Sequence, residues 1–214
     1  MALPKISDYA LPKAKDIAAP RAPWRPDPSR MALLVHDMQR YFCAAYGPDS
    51  SLLQTVTRNI AAVTAAARKA GIPVFYTAQK GDQFRPDRGL QADLWGPGMR
   101  AIAEHQEIIA PLTPQPGDIV LVKHRYSAFQ RSNLADLMRA RGRDQLAIAG
   151  IYAHIGCLAT ATEAFQRDIQ PFAVIDAQAD FNRQRHEMAM DWISACSGVP
   201  VATDALLAAI AGGA

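Results

Sequence analysis

Asp37, Lys123 and Cys157 each stand where an apolar run gives out. Asp37 ends Leu33-Leu34-Val35-His36-Asp37, and Lys123 ends Ile119-Val120-Leu121-Val122-Lys123. Cys157 follows the run Gln145–Ile151, in Tyr152-Ala153-His154-Ile155-Gly156-Cys157. A carboxyl group at the rim of a buried strand can have its pKa moved toward neutrality, which suits a general acid. A cation in the same place can pair with that carboxylate or hold an anionic substrate. A thiol that opens a helix has a lowered pKa and makes a nucleophile. Each residue also has a plainer use: an Asp that caps a turn, a Lys that surfaces at a strand end, a Cys packed as a small hydrophobe. The three together at the ends of three strands are a much stronger signal than any one alone.

The elements that must position them alternate regularly. Strand-length apolar runs occur at Met31–His36, Val74–Ala78, Ile119–Lys123, Gln145–Ile151 and Phe172–Asp176, with a weaker one at Val199–Thr203. Each is nearly continuous in Val, Ile, Leu and Ala, the pattern of strands covered on both faces. Between them, helical patterns span Leu52–Gly71, Asn133–Arg141 after Ser132, Cys157–Arg167 and Arg185–Ala195. The first closes at Gly71-Ile72-Pro73, a Gly stop followed by a Pro. Strand–helix alternation predicts an α/β fold: a doubly wound, mainly parallel six-stranded sheet with helices on both faces. Ligands bind such sheets at the carboxyl ends of the strands, near the switch in strand order. Residues 1–30 carry Pro4, Pro12, Pro20, Pro23, Pro26 and Pro28 and read as an extended arm lying on the domain, with Leu11 and Trp24 to pin it. Residues 31–214 form the single domain.

Bulk properties remove several classes of function. A net charge of +3 with scattered Lys and Arg offers no basic track for a nucleic-acid backbone. No long apolar segment spans a membrane, and the N-terminal stretch lacks a secretory apolar core, so the expected location is the cytoplasm. Cys43, Cys157 and Cys196 form no C-x-x-C pair, which argues against a zinc site or a disulfide framework.

Six stretches together resemble the isochorismatase family: Val35-His36-Asp37-Met38-Gln39, Tyr76-Thr77-Ala78-Gln79, Trp95-Gly96-Pro97-Gly98, Lys123-His124-Arg125-Tyr126-Ser127-Ala128-Phe129, Tyr152-Ala153-His154-Ile155-Gly156-Cys157 and Asp176-Ala177-Gln178-Ala179-Asp180-Phe181. The similarity runs from Leu3-Pro4-Lys5 to about Leu207 and points to the branch that makes aryl-siderophore and phenazine precursors. The resemblance implies cleavage of the enolpyruvyl (vinyl) ether of isochorismate to pyruvate and 2,3-dihydro-2,3-dihydroxybenzoate. Asp37 would be the general acid, and no cofactor or metal would be needed. It further implies that Gln79, Arg88, Lys123, Tyr152 and Gly156 contact the substrate, with Phe42, Trp95, Tyr126 and Phe129 as apolar walls. Core packing is the better reading of Phe129. A non-proline cis peptide near Ile151–Tyr152 and a homodimer are implied as well, and siderophore assembly-line proteins are possible partners. His36 and His154 read as structural.

Lys123 creates a tension, since a neighbouring cation keeps Asp37 ionised; two substrate carboxylates held by Lys123 and Arg88 would push the proton affinity of Asp37 back up. Three alternatives stay open. The substrate can be 2-amino-2-deoxyisochorismate, as in phenazine synthesis. Cys157, with Asp37 and Lys123, can serve an amidohydrolase, although Gln79-Lys80-Gly81-Asp82-Gln83-Phe84 lacks the histidines that such enzymes use for a metal. A non-catalytic docking module is the third. Gly47-Pro48-Asp49-Ser50 matches a short carrier-protein pattern, but its position before a helix reads as a turn and N-cap, and no aryl carrier domain is expected.

Overall fold

The computed structural model describes residues 3–212. Six strands form one sheet: β1 (Met31–His36), β2 (Val74–Ala78), β3 (Ile119–Val122), β4 (Gln145–Ile151), β5 (Gln170–Ala179) and β6 (Val199–Val201). Their order is β3-β2-β1-β4-β5-β6, and every neighbouring pair is parallel. The chain builds outward from β1 to β3, then returns to the other side of β1 as β4. The loops leaving β1 and β4 therefore diverge and open a crevice at the carboxyl edge.

Among the described residues, nine α-helices accompany the sheet: α1 (Arg40–Cys43), α2 (Ser51–Lys69), α3 (Arg85–Arg88), α4 (Gln91–Trp95), α5 (Ala103–Gln106), α6 (Leu134–Arg139), α7 (Leu158–Gln166), α8 (Arg183–Cys196) and α9 (Thr203–Gly212). Side chains of β1 alternate between two cores, as the strand period of two requires. Met31, Leu33 and Val35 pack with Val56, Ile60 and Val63 of α2 and Leu206 and Ile210 of α9. Ala32 and Leu34 pack on the other face with Leu134 and Met138 of α6, Ala161 and Ala164 of α7, and Met190 and Ile193 of α8. On α2, the buried positions 52, 56, 60, 63 and 67 recur at the helical period. Ser50 caps that helix by accepting from the Leu53 amide (3.0 Å), in keeping with the turn-and-cap reading of Gly47–Ser50.

The elements depart from the sequence expectation in several places. Strand β3 lies at the sheet edge and leaves Val120 and Val122 exposed (48% and 39%), so it is not covered on both faces. It ends at Val122, though the Lys123 amide still bonds to the Ala78 carbonyl. Strand β5 continues past Asp176 to Ala179, with a register shift against β4 between Ile148 and Gly150. Gly150 sits at φ +113°, and a Cβ there would lie 2.2 Å from the His36 carbonyl oxygen. The last expected strand stops at Val201, and Thr203 opens α9 instead, held by Asp176, whose carboxylate accepts from its amide and hydroxyl (2.7 Å each). Helix α9 was unforeseen because its alanine-rich composition hides a two-residue apolar contact, Leu206 and Ile210, one turn apart.

Residues 3–30 run across the domain. The Ile6 amide bonds to Ala45 O (2.8 Å), Asp8 accepts from the Ser51 and Leu52 amides, and Leu11 packs against the first core. Trp24 meets Phe165 at 6.5 Å between ring centroids. Leu3 reaches the crevice at the sheet edge.

Candidate active site

The loops beyond β1, β2, β3 and β4 enclose one pocket, with about 650 Å³ of space outside protein atoms, its mouth included. At its floor, Asp37 is 5% exposed, and its carboxylate has four polar neighbours. Lys123 Nζ donates to Oδ2 (2.7 Å), Thr77 Oγ1 donates to Oδ1 (2.6 Å), and Gln79 Nε2 approaches Oδ2 (3.4 Å). His36 Nδ1 stands 3.8 Å from Oδ2. Asp37 adopts φ +49°, a left-handed conformation that the Thr77 hydroxyl supports by accepting from the Asp37 amide (3.0 Å). Burial pushes the Asp37 carboxyl up, but Lys123 above all, helped by the Thr77 hydroxyl, outweighs it and leaves the pKa below the ordinary value. The ligand-free site thus holds an ionised Asp37 against Lys123, as the adjacent cation led one to expect.

Gln79 is set by a reciprocal pair with Gln39. Its amide donates to Gln39 Oε1 (2.7 Å), and Gln39 Nε2 donates back to the Gln79 carbonyl (2.8 Å). Arg88, on α3, is buried; its Nε donates to the Gly96 carbonyl (2.6 Å), and among the described residues no carboxylate pairs with it. It is a cation facing an apolar space without a counter-charge. Trp95 and Tyr126 are joined by an indole-to-hydroxyl bond of 2.7 Å, and Tyr152 donates to the Phe42 carbonyl (2.8 Å). Gly156 lines the pocket against His36, and a Cβ would fall 2.1 Å from His36 Cε1, so no larger residue fits. His36 donates from Nδ1 to Ile151 O (3.0 Å), and burial lowers its pKa to about 4, so it is neutral. The Ile151–Tyr152 peptide is cis.

Residues 31–205 match the family model described as the isochorismatase domain. The chain belongs to the isochorismatase family. Enterobactin synthase component B of Escherichia coli (strain K12) is 48% identical over 209 residues, which cover 98% of this chain and 73% of that protein. The phenazine biosynthesis protein PhzD of Pseudomonas fluorescens is 46% identical over 202 residues, 94% of this chain and 97% of that one. A cysteine hydrolase from Pseudomonas syringae pv. phaseolicola 1448A superposes with a TM-score of 0.82 over 92% of this chain and 99% of its own, at 23% identity, and shares the fold.

In this isochorismatase-family domain the nine residues expected at the site come together. Asp37, Lys123, Gln79, Arg88, Tyr152, Gly156, Phe42, Trp95 and Tyr126 all line the pocket. Cys157 does not. It is fully buried behind the wall, and the expected lowering of its pKa is overturned: burial raises it well above the ordinary thiol value, with Asp37 and Asp180 adding to the effect and Lys123 opposing it. The physical reason is local. Helix α7 starts at Leu158, and a π-turn over Ala153–Cys157 precedes it, so the thiol does not sit at a free helix N-terminus. Phe129 is buried in the second core, with Arg167 over its ring (5.3 Å), and lies outside the pocket.

Sequence reasoning missed Thr77, Gln39, Tyr41, Met99, Ile155 and Phe181. Thr77, Gln39, Ile155 and Phe181 lay inside the motifs that carry the resemblance, but only the packing of neighbouring strands and loops shows what they touch. Asp180 was missed too; fully buried, it accepts from the amides of His154 (2.6 Å) and Phe181 (2.7 Å) and so ties the π-turn to the pocket wall.

Proposed function

We propose that this protein is a hydrolase of the enolpyruvyl ether of isochorismate, yielding pyruvate and 2,3-dihydro-2,3-dihydroxybenzoate for aryl-siderophore precursor synthesis, with Asp37 as general acid. The observation that carries this reading is a buried carboxyl group in contact with Lys123 on the floor of a largely apolar pocket, which also presents the unpaired Arg88. A dianionic, mostly hydrocarbon substrate matches those features.

The chemistry follows from the substrate's bond. The methylene carbon of a vinyl ether takes a proton from the Asp37 carboxyl group, and the double-bond electrons form the new C–H bond. The oxocarbenium ion that results is trapped by water, which returns a proton to Asp37. The hemiketal then collapses, the ether C–O bond breaks, and the ring oxygen leaves as a hydroxyl. Net, one water is consumed. No thiolate is required, and the sealed, protonated Cys157 favours this course over an amidohydrolase. Ionised Asp37 must gain its proton when substrate binds. Two carboxylates near Lys123 and Arg88 would offset the cation that holds Asp37 low, and so raise it.

Pyruvate release from isochorismate by the wild type, Asp37→Asn and Cys157→Ala proteins tests the reading. Asn tolerates positive φ, so Asp37→Asn is expected to fold and to lose about 10²–10⁴-fold in kcat. A wild type that releases no pyruvate, or an active Asp37→Asn protein, would refute it. The similarity to the phenazine protein favours a second substrate, 2-amino-2-deoxyisochorismate, to be assayed beside the first. A cytoplasmic homodimer and contacts with siderophore assembly proteins belong to the same proposal; a solution mass of one chain would remove the dimer.

A further inference from the structure

Thr77 stands near the end of β2, 1% exposed, and touches Asp37 without lining the pocket. Its hydroxyl is used twice. The Asp37 amide donates to Oγ1 (3.0 Å), and Oγ1 lies 2.6 Å from Asp37 Oδ1. A hydroxyl has one hydrogen. With the amide on one lone pair, the hydrogen points at Oδ1. The other carboxyl oxygen, Oδ2, meets Lys123 Nζ and Gln79 Nε2, both from residues that line the pocket.

We propose that Thr77 is a positioning residue that holds Oδ1 as a permanent acceptor, so that the proton given to substrate is carried on Oδ2. A proton on Oδ1 would set two O–H groups against each other. The Thr77 hydrogen would have to turn away, and among the described residues Oγ1 has no other partner in hydrogen-bond reach. A buried hydroxyl without an acceptor is unfavourable. Oδ2 carries no such conflict, because Lys123 at 2.7 Å can still donate to its remaining lone pair, and only the long Gln79 contact (3.4 Å) is given up. The same hydroxyl grips the backbone and the carboxyl of one residue, so the plane of the acid is set together with its left-handed φ.

The inference rests on the general-acid reading, and its test separates the two. The charged and titratable groups facing Asp37 are Lys123 beyond β3, His36 on β1, Tyr152 and Cys157 beyond β4, and Arg88 across the pocket; none of them is substituted in Thr77→Val or Thr77→Ser. Carboxyl-carbon NMR of the ligand-free protein, labelled at aspartate, should show Asp37 titrating at higher pH in Thr77→Val and unchanged in Thr77→Ser, since a donor to the carboxylate is lost only in the first. With isochorismate, kcat of Thr77→Val should fall about tenfold or more as the acid loses its orientation, with KM within about twofold and the alkaline limb of kcat moved up. Thr77→Ser should recover most of that loss. An unmoved Asp37 titration in Thr77→Val, or a Ser variant as impaired as Val, overturns the inference. If wild type does not turn over isochorismate, the general-acid reading fails instead, and the titration alone then decides whether Thr77 donates to Oδ1.

Discussion

A thiol's reactivity is set by whether water and charge can reach it. Cys157 is buried at the end of the π-turn, Cys43 is buried with its pKa pushed up to about 12, and Cys196 is exposed. Native protein should therefore give one fast-reacting thiol with a disulfide reagent, assigned to Cys196, and three after denaturation. Cys157→Ala should keep isochorismate turnover within about threefold, because vinyl-ether cleavage needs an acid and not a nucleophile. Rapid labelling of Cys157 in the folded state, or loss of activity in a folded Cys157→Ala protein, would revive the nucleophile. The candidate acid, by contrast, was legible from position: a carboxylate directly after a buried strand must lie at the ligand-binding edge. Its partner Thr77 was not, since a threonine in a strand is ordinary until the neighbouring strand's register is known.

Among the elements, α2 shows how the arm contributes beyond packing. Ser50 caps the helix from within, and Asp8 reaches from the arm to the same end, accepting from the Ser51 amide (2.7 Å), the Ser51 hydroxyl (2.7 Å) and the Leu52 amide (3.2 Å), and from the Ser50 hydroxyl. An anion at a helix N-terminus satisfies free amides and complements the helix dipole. Asp8→Ala should lower stability by about 1 kcal/mol, a shift of about 2–4 °C in Tm, while Asp8→Asn should recover part of it. An unchanged melting point would mean that the arm contributes nothing to α2. The strands and long helices were readable because apolar residues recur at their own periods. The short turns α3, α4 and α5, which carry Arg88 and Trp95, have no such period and are placed by contacts made elsewhere in the chain.

For the molecule as a whole, acid stability reports on two buried histidines. Burial lowers both His36 and His186 from 6.5 to about 4. Between those values the unfolded chain binds more protons than the folded one, so stability rises with pH across the window. The contribution is complete above about pH 6.5 and is lost as pH falls toward about 4, by up to about 3 kcal/mol for each histidine. Urea midpoints should be flat from about pH 7 to 8 and decline steadily from pH 6.5 to 5. Equal midpoints at pH 7.5 and 5 would show that these rings are hydrated or charged in the fold.

The succession of the six strands and of the longer helices α2, α6, α7 and α8, the edge of the sheet that carries chemistry, and the identities of Asp37, Lys123 and Cys157 as candidates follow from local pattern, because period and termination are properties of neighbouring residues. Choosing among the three did not. That Asp37 lies against Lys123 while Cys157 lies behind the wall depends on the β1–β4 switch, the π-turn and the bulge beside Gly150, which bring together residues far apart in sequence. Burial and charge proximity set proton affinities, and both are distances in space, so tertiary structure alone decided which reactive side chain the pocket can use.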